Sequence, residues 1–182
     1  MIFPRFGRKP RDPDTISALY GMIVAQARLP CFYRDYAVAD TVNGRFDLIV
    51  LHLALVIERL TQDAGLRGLR QGLFDRFCQD MDHNLREMGV GDLKVPKEMR
   101  RMGEAFYGRA QAALRAADAG QALVETLTRN IYGGSPASPA AAGRLAAYIR
   151  VAVRDLKGQD PASLVAGTVR FPDPATIPAV PG

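Results

Sequence analysis

The stretch Arg45-Phe46-Asp47-Leu48-Ile49-Val50-Leu51-His52-Leu53-Ala54-Leu55-Val56-Ile57-Glu58-Arg59-Leu60 decides the fold. Between Leu48 and Ile57 only His52 is polar, so a helix drawn through this run has almost no polar face in its middle. A helix that is apolar all round must be covered on most sides. The run therefore predicts a central core helix over about 45–64, with other helices packed around it. It is about half the roughly 20 residues that a membrane-spanning helix needs, so a crossing is not expected. His52 reads as a hydrogen-bonded core histidine rather than a ligand.

Working outward, the chain punctuates itself into further helices. Asp12-Pro13 offers an N-cap with proline at the first helical position, and Ile16, Leu19, Tyr20, Ile23, Val24 and Ala27 follow at helical spacing. Leu29-Pro30 ends that run, because the residue before proline is pushed out of the α region. The link Cys31 to Tyr36 is unusually aromatic, and its rings either fold back onto the core or form a contact surface. Leu69, Leu73, Phe74, Phe77, Met81, Leu85 and Met88 mark a helix over 69–88 that Gly89 should stop. Pro96 opens another over 96–117, with Met99, Met102, Phe106 and Ala113 on one stripe, and the short link between the two makes an αα-hairpin at 69–117. Shorter patterns predict helices over 121–132, 138–157 and 161–165. The expected fold is all-α, a single-domain bundle of about six helices. Its helical domain would span 12–167, between a flexible basic tail at 1–11 and a Pro-rich extended tail at 168–182.

Composition agrees with an ordinary globular protein: 182 residues, 48% hydrophobic and 24% charged. The net charge of +5 favours acidic surfaces such as anionic lipid, ribosomal RNA or an acidic partner, or serves solubility alone. Two cysteines, Cys31 and Cys78, are too few for a disulfide framework and fit a reducing compartment. Residues 1–11 contain no apolar h-region, and their Pro and Gly argue against a transit helix, so they read as a frayed, solvated tail or as a segment resting on a membrane surface.

The residue patterns of catalysis are sparse. There is no G-x-S-x-G, no phosphate-cradling Gly-rich loop and no paired histidine motif, and the chain has two histidines in all. Asp80, His83 and Glu87 share a helix face within an acidic cluster that also holds Asp75, Asp82 and Asp92. Di-metal carboxylate bundles repeat such a motif on paired helices, whereas here it occurs once and reads as a solvated, ion-paired face. Lys94, Lys97, Arg100 and Arg101 open the 96–117 helix, where cations are slightly misplaced for the helix dipole. They are candidates for contact with an acidic partner, without any motif for specific DNA. No enzyme activity, cofactor or metal is expected.

What does stand out is methionine. Met81, Met88, Met99 and Met102, four of the six in the chain, fall within the hairpin, accompanied by Phe74, Phe77, Leu85, Phe106 and Tyr107. Unbranched, polarisable methionine packs against irregular apolar surfaces and suits adaptable binding. Phe77, Met81, Leu85, Met88, Met99, Met102, Phe106 and Tyr107 are accordingly the candidate groove.

The same segment carries a resemblance. The run from Leu73-Phe74-Asp75-Arg76-Phe77 through Asp80-Met81-Asp82-His83-Asn84-Leu85-Arg86-Glu87-Met88-Gly89-Val90-Gly91-Asp92-Leu93-Lys94-Val95-Pro96 to Phe106-Tyr107-Gly108-Arg109 resembles the core of the ubiquinol–cytochrome c chaperone family. Phe32-Tyr33 and the core helix from Arg45 fit the same pattern, so the likeness covers roughly residues 30–155. It implies a helical assembly factor for the cytochrome bc1 complex that holds newly made cytochrome b, with no catalytic residues to carry over. It further implies a bacterial-type member at the cytoplasmic face of the inner membrane, in peripheral contact with it, with a small assembly partner or the ribosome as further contacts. The other reading is a charge-driven adaptor on a membrane or ribosome surface, using Arg5, Arg8, Lys9 and Arg11 and no client groove.

Overall fold

Thr41 decides where the central helix begins. In the computed structural model, which describes residues 12–105, 120–133 and 138–178, its hydroxyl accepts the Gly44 N–H at 3.2 Å. That cap satisfies a donor that the helix itself cannot, and it starts the helix at Val42, about a turn before Phe46. Gly44 is required there. A Cβ at this position would lie 2.0 Å from the Ala39 carbonyl oxygen, so the preceding loop closes onto the helix only because no side chain intervenes.

In chain order the helices are α1 (Pro13–Ala27), α2 (Pro30–Arg34), α3 (Val42–Thr61), α4 (Arg67–Glu87), α5 (Val95–Ala105), α6 (Gly120–Asn130), α7 (Ser138–Lys157) and α8 (Pro161–Val165). Two 3₁₀ turns, Ala64–Leu66 and Pro174–Thr176, complete the regular structure, and no strand occurs among the described residues. The fold is all-α and a single domain, as the apolar pattern predicted. The basic segment 1–11, the expected run of a helix from 106 to 117 and the last residues, 179–182, lie outside the described residues.

The central position of α3 follows from its sequence. Every residue from Leu48 to Val56 is buried, and α1, α4 and α7 pack around it. Two local readings differ from the sequence expectation. The aromatic link after Leu29 is itself a short helix, because Pro30 both ends α1 and pre-sets the first turn of α2. It turns Phe32 and Tyr36 fully inward, which resolves the open choice in favour of the core. The Pro-rich segment after Gly167 contains a 3₁₀ turn and lies against the bundle, with Val169, Pro174 and Ile177 buried.

What ties that segment down is a set of buried and half-buried polar groups. Gln159 mimics a strand partner, accepting the Arg170 N–H at 2.9 Å and donating to the Arg170 carbonyl at 2.6 Å. Tyr36 donates to the Pro174 carbonyl at 2.6 Å, and Arg144 reaches the carbonyls of Ile177 and Asp35 at 3.2 and 3.0 Å. Buried Arg59 closes the end of α7 by donating to Leu156 and Gln159 carbonyls at 3.0 and 2.7 Å.

At the centre, Gln26 of α1 donates to both Tyr148 Oη and the Pro172 carbonyl at 3.1 Å. Tyr148 Oη lies 2.9 Å from His52 Nε2, and His52 Nδ1 lies 2.8 Å from the Leu48 carbonyl. The carbonyl can only accept, so Nδ1 carries the proton and Nε2 accepts from tyrosine, one consistent chain of donors. Phe32, Tyr148 and Phe171 surround the imidazole with ring centroids 5.3, 5.6 and 5.3 Å away.

Burial of His52 pushes its pKa down to about 4, against a smaller opposing effect of the Leu48 bond. Between about 4 and 6.5 the unfolded chain binds more protons than the folded one. Stability is therefore complete above 6.5 and falls as pH drops towards 4, by at most ~1.4 kcal/mol per unit. Urea unfolding of wild type and His52→Leu should show the steeper acid loss in wild type over that window; equal slopes would contradict the assignment. Gly44→Ala should cost about 1–3 kcal/mol in the same assay, since backbone has to move to admit the methyl.

Candidate functional site

Three helix ends leave a depression between them. The first turns of α3 supply Val42, Phe46 and Ile49, the second half of α4 supplies Met81, Leu85 and Met88, and Ile131 follows the end of α6. The cleft has a volume of about 760 Å³, with Arg28 and Arg45 on one rim and Asp47, Asp80 and Glu87 also facing it. Its apolar walls are positioned from below. The α4 stripe Leu69, Leu73, Phe77, Met81 and Leu85, at spacing four, is buried against the core, and three residues further on Met88, the C-cap, emerges 56% exposed.

The structure distributes the sequence candidates unevenly. Phe77 is 1% exposed and packs near Phe46 and Phe74, with ring centroids 6.2 and 6.4 Å away, so it supports the cleft from within the core. Met81 and Leu85 form the floor, buried at 6% and 4% exposure, and Met88 forms the open lip. Met99 is partly buried and packed against the core. The side chains of Arg101 and Met102, and Phe106 and Tyr107 entirely, lie outside the described residues. The sequence placed the groove on the hairpin at 69–117, whose second arm beyond 105 lies outside the described residues; among those described, Met81, Leu85 and Met88 line a depression whose other walls are α3 and α6. Val42 and Ile131 were not anticipated. The signal for Val42 was Thr41, a capping residue just before it, and the signal for Ile131 was the apolar run Leu123, Leu127 and Ile131 at spacing four.

The polar rim is mostly committed. Tyr20 donates to Asp80 Oδ2 at 2.8 Å, and burial together with that bond raises its pKa. Arg45 pairs with Asp40 at 2.7 Å, which holds the Asp40 carboxyl below its usual range. His83 meets Glu87 at 3.1 Å, and Arg86 bridges Asp82 and Asp92. These are the solvated ion pairs expected of the acidic cluster, and no group that could hold a metal occurs among the described residues. Lys94, Lys97 and Arg100 are exposed. No described helix is long and apolar enough to cross a membrane. The depression is walled mainly by apolar side chains, and among the described residues that line it no nucleophile is arranged with a base.

The model of the family described as ubiquinol–cytochrome C chaperone matches residues 34–171. The chain belongs to that family. The matched segment takes in α3, α4 and α7, and with them the cleft. Among solved structures, the crystal structure of the Cbp3 homolog from Brucella abortus is similar, with a TM-score of 0.83 and 36% identity over 93% of this chain and 94% of that one. Among curated proteins none matches. The Cbp3 homolog thus shares this bundle, and the resemblance drawn from the methionine-rich run holds.

If Phe77 supports and Met88 contacts, truncating each should separate the two roles. Phe77→Ala should cost about 3–5 kcal/mol of stability through the cavity it leaves. Met88→Gln should change stability by no more than about 0.5 kcal/mol. Urea midpoints for the two variants check both, and a large loss at Met88 would contradict its placement on the lip.

Proposed function

We propose that the protein holds newly made cytochrome b by an apolar segment seated in the α3–α4–α6 cleft. The coarser role, chaperoning assembly of the cytochrome bc1 complex, rests on membership of the family and on the likeness to the Cbp3 homolog. The observation that carries the finer reading is the arrangement of Val42, Phe46, Met81, Leu85, Met88 and Ile131 around one open cleft, next to a rim whose charges are largely paired. Covering apolar surface is worth ~25 cal/mol per Å², so each 100 Å² sealed by a client yields about 2.5 kcal/mol before ordering costs. Methionine at floor and lip lets that seal form without one fixed client shape. The helix-in-groove mode fits: a client helix would present apolar residues at spacings of three and four.

Holding needs no chemistry on the client. A segment destined for a bilayer exposes apolar surface before insertion, and a cleft that covers it lowers the population open to aggregation. The cytoplasmic face of the inner membrane is where such a client would be met, and a small assembly partner or the ribosome would act alongside.

Val42 and Met88 stand on opposite walls and are 67% and 56% exposed, so charges introduced there should leave the core intact. Val42→Glu with Met88→Glu should reduce cytochrome b accumulation about tenfold in cells that make the bc1 complex, with the urea midpoint unchanged. Normal cytochrome b levels with the folded double variant would remove the cleft from consideration.

A further inference from the structure

The turn between α4 and α5 exposes an aliphatic side chain at its corner. Beyond Glu87 the chain closes α4 with a left-handed Gly89, φ 79°, whose N–H reaches the Arg86 carbonyl at 2.9 Å while the Val90 N–H reaches Leu85 at 3.0 Å. Gly91 to Lys94 then form a β-turn, closed by the Lys94 N–H on the Gly91 carbonyl at 2.7 Å. Leu93 holds the third position of that turn and is 97% exposed. Val95, 1% exposed, fixes the far side of the turn to the body of the protein. Arg86, bridging Asp82 and Asp92, ties the near side to α4. Leu93 is thus presented by a braced turn rather than by an unpinned loop.

On the α5 side of Leu93 the charges are mainly basic, Lys94, Lys97 and Arg100 against Glu98, while Asp92 and Glu87 lie on the α4 side. The carboxylates of Asp92 and Glu87 face Arg86 and His83, and Glu98 has a partner of its own. Lys94, Lys97 and Arg100 are exposed, and none is paired with a carboxylate among the described residues. An aliphatic apex followed by three cations with no carboxylate partner among the described residues matches the interface of an anionic bilayer. There the leucine reaches the acyl boundary and the cations stay with the phosphates. Nucleic acid would use the cations but gain little from an aliphatic corner, since its grooves and bases are read by polar groups and aromatic stacking.

We infer that the α4–α5 turn is a membrane-docking tip, which places Leu93 in the acyl boundary of an anionic lipid surface and Lys94, Lys97 and Arg100 among its headgroups. The inference stands on the turn and its charges and is independent of what the cleft holds. It nonetheless gives the cleft a location, because Met88, the lip residue, immediately precedes the turn. Docking by the tip brings the cleft mouth to the lipid surface.

The full chain lacks tryptophan, so Leu93→Trp introduces a single reporter. With vesicles of phosphatidylcholine containing about one-third phosphatidylglycerol, its emission should shift to the blue and be quenched by brominated acyl chains. Phosphatidylcholine alone should give neither change. Co-flotation with the anionic vesicles should fall about tenfold in Leu93→Glu and about threefold or more in Lys94→Gln with Lys97→Gln. Val42→Glu, in the cleft, should float as wild type does while losing the client, which separates failure of the tip from failure of the cleft. Unshifted Leu93→Trp emission at saturating lipid, or undiminished flotation of Leu93→Glu, would overturn the inference. So would retention on ribosomal RNA or on a protein partner that is indifferent to Leu93 in the absence of lipid binding.

Discussion

Tyr148 stands where four segments of the chain meet. Its hydroxyl accepts from Gln26 of α1 and donates to His52 of α3, while Gln26 also holds the Pro172 carbonyl of the Pro-rich segment. Each bond of this kind adds only about 1 kcal/mol net, but leaving a buried partner unmade costs about 1–3. The groups therefore sit together or not at all. This fixes the register of α7 on α3, and α6 packs chiefly on α7. The end of α6 is one wall of the cleft and the start of α3 is another, so the cleft's width follows from a hydrogen-bonded chain in the core.

The gradient along α4 turns that scaffold into a surface. From Leu69 to Leu85 one stripe is buried, and only past Leu85 does an apolar side chain, Met88, come into the open. The helix then ends in a braced glycine closure rather than fraying. Apolar contact area is thereby confined to the last turn and its neighbours, where a client can reach it, while the residues beneath hold it in place. Rigid support under an adaptable methionine lip is a physical basis for binding apolar segments of varied shape.

Much of this was legible in the sequence, and the parts that were not have definite reasons. The apolar run Leu48–Ile57 forced a central helix, and Gly89, Pro13 and Asp12 acted at the helix ends as their chemistry dictates. His52 read correctly as a core group because an isolated polar residue inside an apolar helix must find partners. Periodicity, however, tells that a helix has an apolar face and not which neighbour covers it. α4 packs on α1 and α3 as well as on α5. Phe77 and Met88 share one pattern in the sequence and separate only in depth. Val42 escaped because the helix was begun at Arg45, although Val42, Phe46 and Ile49 continue its apolar spacing behind the Thr41 cap, and Pro30 looked like an end when it is also a beginning.

The central claim, that a client lies against the α3–α4–α6 cleft, is tested most directly by site-specific photo-crosslinking in cells assembling the bc1 complex. A photoreactive residue at Met88 or Val42 should yield a cytochrome b adduct, and one at Arg150, exposed on α7, should not. An adduct from position 150 with none from 88 or 42 would contradict the claim.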